Sequence, residues 1–497
     1  MTLTNRHGWY MTTCSIWILL VVGIHAESIL PGWGYDTVTR ESAPFGASVF
    51  IGGFWDLEPD IDGPGTPGRC EQALENIEQI GGIRKVQFTP TFFWDDVGPL
   101  DPPMGFDSSC SGADLNTYYC YNRFAATKVK HFCYQRDPNA KSCEEVTEEE
   151  MERFSTLFGR CVQKAVDMGF DIEVNVRVDD GKSLEGWRNT LLFDPLETYG
   201  SYSYETAILN PIADILAGLE SYDGQLSMTV LGEMGATMFF YPTEWSLLLE
   251  RMRERIDSKR PGLPKVKLGI QQNNSKFCGC YAVGFVGKHE EYMKMLADGF
   301  DPVSLGINLT AVKQLYRDAD YLGISAYIPM TSATSIELCD YEGLLRRTDE
   351  ELAFFDLSLE EITETTAIHY AETGIGGGAA QDGQTPARTA NEAAFYPYWG
   401  IQGPHRCDLD PFKMCECDMV TGECGSPNPV RDYRRDFYQG FSDYLNNQGG
   451  CEYSNAIEVV YIWGTGSWDV LGVYTPDRSW MDPVVTEIIR NHNQDVV

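Results

Sequence analysis

Thr229-Val230-Leu231-Gly232-Glu233-Met234-Gly235 reads as a β-branched, apolar strand that stops at glycine and leaves a carboxylate at its end. The pattern returns in Ile368-His369-Tyr370-Ala371-Glu372-Thr373-Gly374. Each glutamate is expected to project from a strand's C-terminal end into a loop mouth. Outward from these two stretches, short β-branched or aromatic runs recur at residues 48–54, 85–89, 171–176, 267–271, 321–326 and 458–462, with 227–231 and 368–371 the runs just quoted. Amphipathic, helix-like segments lie between them at 70–80, 148–168, 204–219, 244–259, 351–365 and 431–446. Strands alternating with helices argue for βα units on a parallel sheet. Eight strands over one continuous chain predict an α/β fold of the (β/α)8 TIM-barrel type, with a doubly wound open sheet as the competing arrangement.

Two connections are long for such a fold, 96–147 and 374–430. Each carries four cysteines: Cys110, Cys120, Cys133 and Cys143 in the first, Cys407, Cys415, Cys417 and Cys424 in the second. In a barrel both rise over the C-terminal face, where active sites are built. Ordering a long loop costs conformational entropy, and disulfides within each loop would offset it. The pairing itself is not readable from spacing.

Residues 1–26 have the form of a secretory signal: Arg6 as a basic start, an apolar run over 15–24, and a small-residue cut after Ala26. Residues 27–497 then form a single domain with the two loop insertions. Of 15 cysteines one lies in the signal, which leaves an even set, as disulfides in an exported protein require. Sequons begin at Asn273 and Asn308. A formal charge of −35 repels nucleic acid and anionic membrane surfaces, so neither is expected as a partner.

Several motifs fail their context tests. Gly374-Ile375-Gly376-Gly377-Gly378-Ala379 matches a dinucleotide pattern but runs into Gln-Asp-Gly-Gln-Thr-Pro, not into a helix. The acidic run Asp56 to Asp62 lacks the terminal glutamate of a calcium loop, having Arg69 there. Cys415 and Cys417 are not spaced as a zinc pair, no His-Glu-x-x-His occurs, and no Gly-x-Ser-x-Gly elbow occurs. No metal site and no cofactor are expected. His369, three residues before Glu372, should point to the opposite strand face and be a packed histidine.

Two carboxylates on rigid strand ends are the minimum equipment for splitting a glycosidic bond. The residues resemble the clan A superfamily of retaining glycoside hydrolases on (β/α)8 barrels, which includes cellulases and β-mannanases. That resemblance implies Glu233 at the end of the fourth strand as acid/base and Glu372 at the end of the seventh as nucleophile. It also implies Tyr327 as the sixth-strand tyrosine that bonds the nucleophile and Trp463 as the eighth-strand aromatic under the sugar. Gly232 departs from the pattern, because the superfamily carries asparagine there. Trp55, Trp94, Trp187 and Trp468 lie near strand ends or loops and are candidates to extend the sugar platform. The implied activity is secreted, retaining cleavage of a β-linked polysaccharide or oligosaccharide, with Glu372 ionised and Glu233 protonated at rest. The alternative is a barrel that binds carbohydrate without cleaving it.

Overall fold

A computed structural model describes residues 42–99, 127–136, 143–181, 188–273, 297–299, 301–375, 387–395, 397, 410–418, 420–447, 451–453, 456–463 and 481–496. The expected signal at 1–26, the glycine run beyond Ile375, Trp187, Trp468, Cys110, Cys120 and Cys407 lie outside the described residues.

All eight expected strands form. They are β1 (Phe45–Ile51), β2 (Lys85–Pro99), β3 (Asp171–Asn175), β4 (Leu226–Gly232), β5 (Lys267–Asn273), β6 (Tyr321–Ser325), β7 (Ala367–Thr373) and β8 (Ile457–Ile462). Each pairs in parallel with the next, β1 to β2 and so on to β7 with β8. The ring then closes, because β8 pairs in parallel with β1 through Phe45↔Val460, Gly46↔Tyr461 and Ala47↔Ile462. An open sheet would leave two free edges; here the edges meet, and the fold is a (β/α)8 barrel.

Strand boundaries moved where local chemistry overrode propensity. β1 ends at Ile51 rather than Phe54, and Phe54–Asp56 is a 3-10 turn. The Gly52 N–H donates to Asp56 Oδ2 at 2.8 Å, which pulls the backbone out of the ladder. β2 is longer than expected. Its second half leaves the barrel and pairs antiparallel with Thr127–Cys133 (Phe93↔Cys133, Trp94↔Phe132) and parallel with Arg177–Asp180 (Phe93↔Asp179). The first long connection therefore starts in, and returns through Thr127–Cys133 to, a small upper sheet continuous with β2.

The helices bury their apolar stripes against the strands. Glu148–Asp167 starts in a reciprocal cap, with Thr147 accepting from the Glu150 N–H and Glu150 reaching back to Thr147. The expected helix at 351–365 is broken. Gly343–Leu352 ends early, Asp356 takes a left-handed φ of 53°, and Ser358 caps a new turn at Leu359–Thr363. Leu309–Asp318 and Pro483–Val496 are helices the pattern did not single out. No helix among the described residues is long and apolar enough to cross a membrane.

Inside the barrel, the lower layer is polar and closes on itself. Gln87 Nε2 donates to Glu173 Oε1 at 2.8 Å, and His369 Nδ1 lies 2.7 Å from Glu173 Oε2. The His369 ring stacks on Tyr321 at 4.0 Å. β3 and β7 stand on opposite sides of the ring, so His369 points inward, and so does Glu372 three residues on. The expected opposite-face placement fails because β7 shifts register between Tyr370 and Thr373. His369 is a packed and paired histidine, as expected. Burial alone would lower its proton affinity, but Glu173 and Glu458 raise it above the ordinary value.

Cys133–Cys143 and Cys417–Cys424 pair within their own loops, and Cys415 is also disulfide-bonded. Two further bridges span longer stretches: Cys70–Cys161 ties Arg69–Ile80 to Glu148–Asp167, and Cys339–Cys451 joins the segments after β6 and before β8. The first closes a separation of 91 residues and the second 112, so both restrict the unfolded chain strongly. Replacing Cys70 and Cys161 together by serine should cost about 2–4 kcal/mol in a denaturant titration. A loss well under 1 kcal/mol would mean that helix packing alone fixes this side of the barrel.

Candidate active site

The site is built where β4, β5, β6 and β7 end. Glu233 follows the last residue of β4 with a left-handed φ of 55°, a conformation costing a non-glycine residue about 1–2 kcal/mol. Its N–H is held by the Gln271 carbonyl at 2.9 Å. Backbone strain kept at a buried carboxylate turns the side chain into the mouth. Glu233 Oε2 accepts from Arg188 Nη2, and Oε1 accepts from both Asn273 Nδ2 and Ser325 Oγ. Each of those donors is itself placed. Gln271 Nε2 donates to Ser325 Oγ at 2.8 Å, Asn189 Nδ2 donates to Asn273 Oδ1, and Arg188 Nη1 donates to Asp179 Oδ1 at 2.7 Å.

Glu372 lies near the end of β7 and is 6% exposed. The Tyr327 hydroxyl, two residues past β6, donates to its Oε2 at 3.5 Å. Burial first, then the charge of Glu233, push the Glu372 carboxyl up to about 8, against the pull of Arg177 and Arg188. Asp179, by contrast, is half-buried and held below the usual carboxylate range by Arg177 and Arg188 against the effect of burial. Glu372 is the group whose burial favours the proton, while Glu233 is ringed by donors.

Trp463, the first residue after β8, forms one wall with Phe50, their rings 5.7 Å apart edge to face. The Arg177 guanidinium stands over both, 5.3 Å from the Phe50 ring and 5.9 Å from that of Trp463. Trp55 is half-buried and folds back over Gly52 and Gly53. Trp94 is fully buried in the hydrophobic core and has no ring face open to a ligand. Its β2 segment is an inner strand of the upper sheet, paired on both edges.

Asn273, the first residue of a sequon, spends its Nδ2 on Glu233. An N-linked glycan would attach through that same nitrogen. Arg177, Asp179, Arg188, Asn189 and Ser325 were not singled out in the sequence, and Asn273 was noted only as the start of a sequon. Ser325 and Asn273 end β6 and β5, a position that marks site residues in a barrel, whereas Arg188 and Asn189 sit in a short 3-10 turn without periodicity.

The glycine at 232 has a steric cause. A Cβ built there would lie 1.8 Å from the Val176 carbonyl oxygen, so the backbone beyond β3 occupies the space that asparagine would need.

No family model matches the chain, and no curated protein matches it. Among solved structures, the chain is similar to a GH113 β-mannanase from Alicyclobacillus acidocaldarius (10% identity, 92% of this chain and 98% of that one, TM-score 0.44). It is also similar to a glycoside hydrolase family 5 mannosidase from Rhizomucor miehei (11%, 91% and 94%, TM-score 0.37). A third is the endoglucanase Cel5A from Pseudomonas stutzeri (12%, 92% and 95%, TM-score 0.38).

Two outcomes follow from this geometry. Gly232→Asn should destabilise the protein by about 3 kcal/mol in thermal or chemical melts, because the clash is with backbone. Glu372→Gln should change the pH dependence of stability. The folded protein keeps the Glu372 proton up to about pH 8, whereas an unfolded chain releases it near 4.5. Stability is therefore lost as pH rises through that window, and a glutamine, which has no proton to lose, escapes the loss. The variant should match the parent near pH 4.5 and exceed it above pH 8, by at most about 5 kcal/mol.

Proposed function

We propose that this chain is a secreted, retaining glycoside hydrolase that cleaves a β-linked polysaccharide or oligosaccharide. The observation that carries the reading is a pair of buried carboxylates, Glu233 and Glu372, which end β4 and β7 and share one electrostatic field at the barrel mouth. Glu372 attacks the anomeric carbon, the bond to the leaving oxygen breaks, and Glu233 gives that oxygen its proton. Glu233, now a carboxylate, takes a proton from water as the water displaces Glu372 from the glycosyl-enzyme. Tyr327 orients Glu372, and Trp463 offers a ring face to the sugar. Oxidised cysteines agree with export, since such bridges persist in oxidising compartments.

The second reading, a barrel that binds carbohydrate without cleaving it, has the Arg188 hold on Glu233 in its favour. Hydrolysis assays on β-mannan, β-glucan and xylan separate the two. Glu372→Gln should abolish turnover while the barrel stays folded. Glu233→Ala should keep the first step on substrates with good leaving groups, accumulate glycosyl-enzyme, and recover product release when azide is added. Wild-type rates in both variants would remove this pair from the mechanism. Binding of a glycan by the parent with no cleavage of any of the three would favour the silent barrel.

A further inference from the structure

Retaining cleavage needs the pair's single proton on Glu233 and the charge on Glu372, and the geometry around Glu233 opposes that arrangement. Both of its carboxyl oxygens already accept hydrogen bonds: Oε2 from Arg188, Oε1 from Asn273 and Ser325. Asn273 presents its amide nitrogen because its oxygen is taken by Asn189, and Ser325 spends one of its two lone pairs on Gln271 while its O–H points to Glu233. A proton on Glu233 would meet the N–H donors of Arg188 and Asn273, and only the Ser325 hydroxyl among these three partners could turn to accept it. One of them, Arg188, is buried and permanently cationic. A charge-assisted bond of this kind, out of water, favours the anion strongly.

We infer that Arg188 is a positioning residue that sets where the pair's proton rests: it holds Glu233 as the carboxylate in the resting protein, and it must turn fully to Asp179 before Glu233 can act as the acid. The inference rests on the glycosidase reading for its catalytic half only. Arg188 has a second seat ready, because its other terminal nitrogen already bonds Asp179 at 2.7 Å. Asp179 is shared with Arg177, whose Nε lies 3.0 Å from Oδ2. Turning away from Glu233 thus leaves the guanidinium paired. The proton then passes from Glu372 to Glu233 with no change in total charge.

Among the described residues, the charged and titratable groups that meet at this point come from several elements. Arg177 and Asp179 come from the upper sheet, Arg188 from the turn after it, Glu233 from the end of β4, Tyr327 from beyond β6 and Glu372 from β7. Burial and Glu233 lift the proton affinity of Glu372, while Glu233 in turn strengthens the charge on Arg188. Both directions agree with the hydrogen bonding.

The test is a carboxyl titration of the full-length protein by 13C NMR of glutamate side chains, with the two resonances assigned from Glu233→Gln and Glu372→Gln. In the parent, Glu233 should titrate below Glu372. In Arg188→Met, Glu233 should titrate about 1–3 pH units higher, and Arg188→Lys should restore most of the parental value. If Arg188→Met does not fold, Asp179→Asn serves: with its second seat gone Arg188 rests on Glu233 alone, and Glu233 should titrate lower still. On whichever of β-mannan, β-glucan or xylan is cleaved, the acid limb of kcat/KM should move in the same direction as the titration, which a merely structural role would leave in place. A parent in which Glu233 titrates after Glu372, or variants in which Glu233 does not move, would overturn the inference. Titrations as described in a protein that cleaves none of the three glycans would keep Arg188's role and dismiss the glycosidase reading.

Discussion

The parallel pairing of β8 with β1 is the constraint on which the rest depends. It converts a row of strands into a ring with a lumen, and only in a ring can side chains from β3 and β7 touch across the middle. Closure also seals the lower lumen from water. Polar groups placed there must satisfy one another, which is why Gln87, Glu173, His369, Tyr321 and Thr229 form one bonded layer. That rigid floor fixes the strand ends above it, and the strand ends carry the two carboxylates.

Above the floor the molecule spends stability on chemistry. Glu233 adopts a backbone conformation that a non-glycine residue resists, and Glu372 is buried where its charged form is disfavoured. Two arginines counter the concentration of negative charge, and one of them stands on aromatic rings as well as on Asp179. These arrangements persist because neighbours over-determine them: the Glu233 backbone is tied to β5 and its side chain to β5, β6 and the turn at Arg188.

Much of the barrel was legible because its signal is local. Eight β-branched runs separated by helical stretches need no long-range information, and Glu233, Glu372, Tyr327 and Trp463 announce themselves by standing where such runs stop. What was hidden depends on backbone geometry that side-chain alternation does not record. Gly52-Gly53-Phe54-Trp55 looks like more of β1 until Asp56 takes the Gly52 N–H. The helix over 351–365 breaks at Asp356, an ordinary residue in a left-handed conformation. A register shift in β7 put His369 and Glu372 on the same side despite their odd spacing. Arg188 and Asn189 carried no signal at all, since a short turn has no period and its meaning comes from what it faces. Gly232 was noticed as a departure, but its cause, the Val176 carbonyl, belongs to the backbone just beyond β3.

The His369–Glu173 contact reaches beyond the barrel's mechanics into its history. Each residue is the other's nearest charged partner in the barrel interior: without His369, Glu173 keeps only the Gln87 bond, and without Glu173, His369 keeps only Glu458 at 3.7 Å. A lineage can leave this arrangement only by changing both, or by passing through a markedly weakened ancestor. The two positions should therefore be inherited as one character, kept together or lost together, although 196 residues of chain separate them.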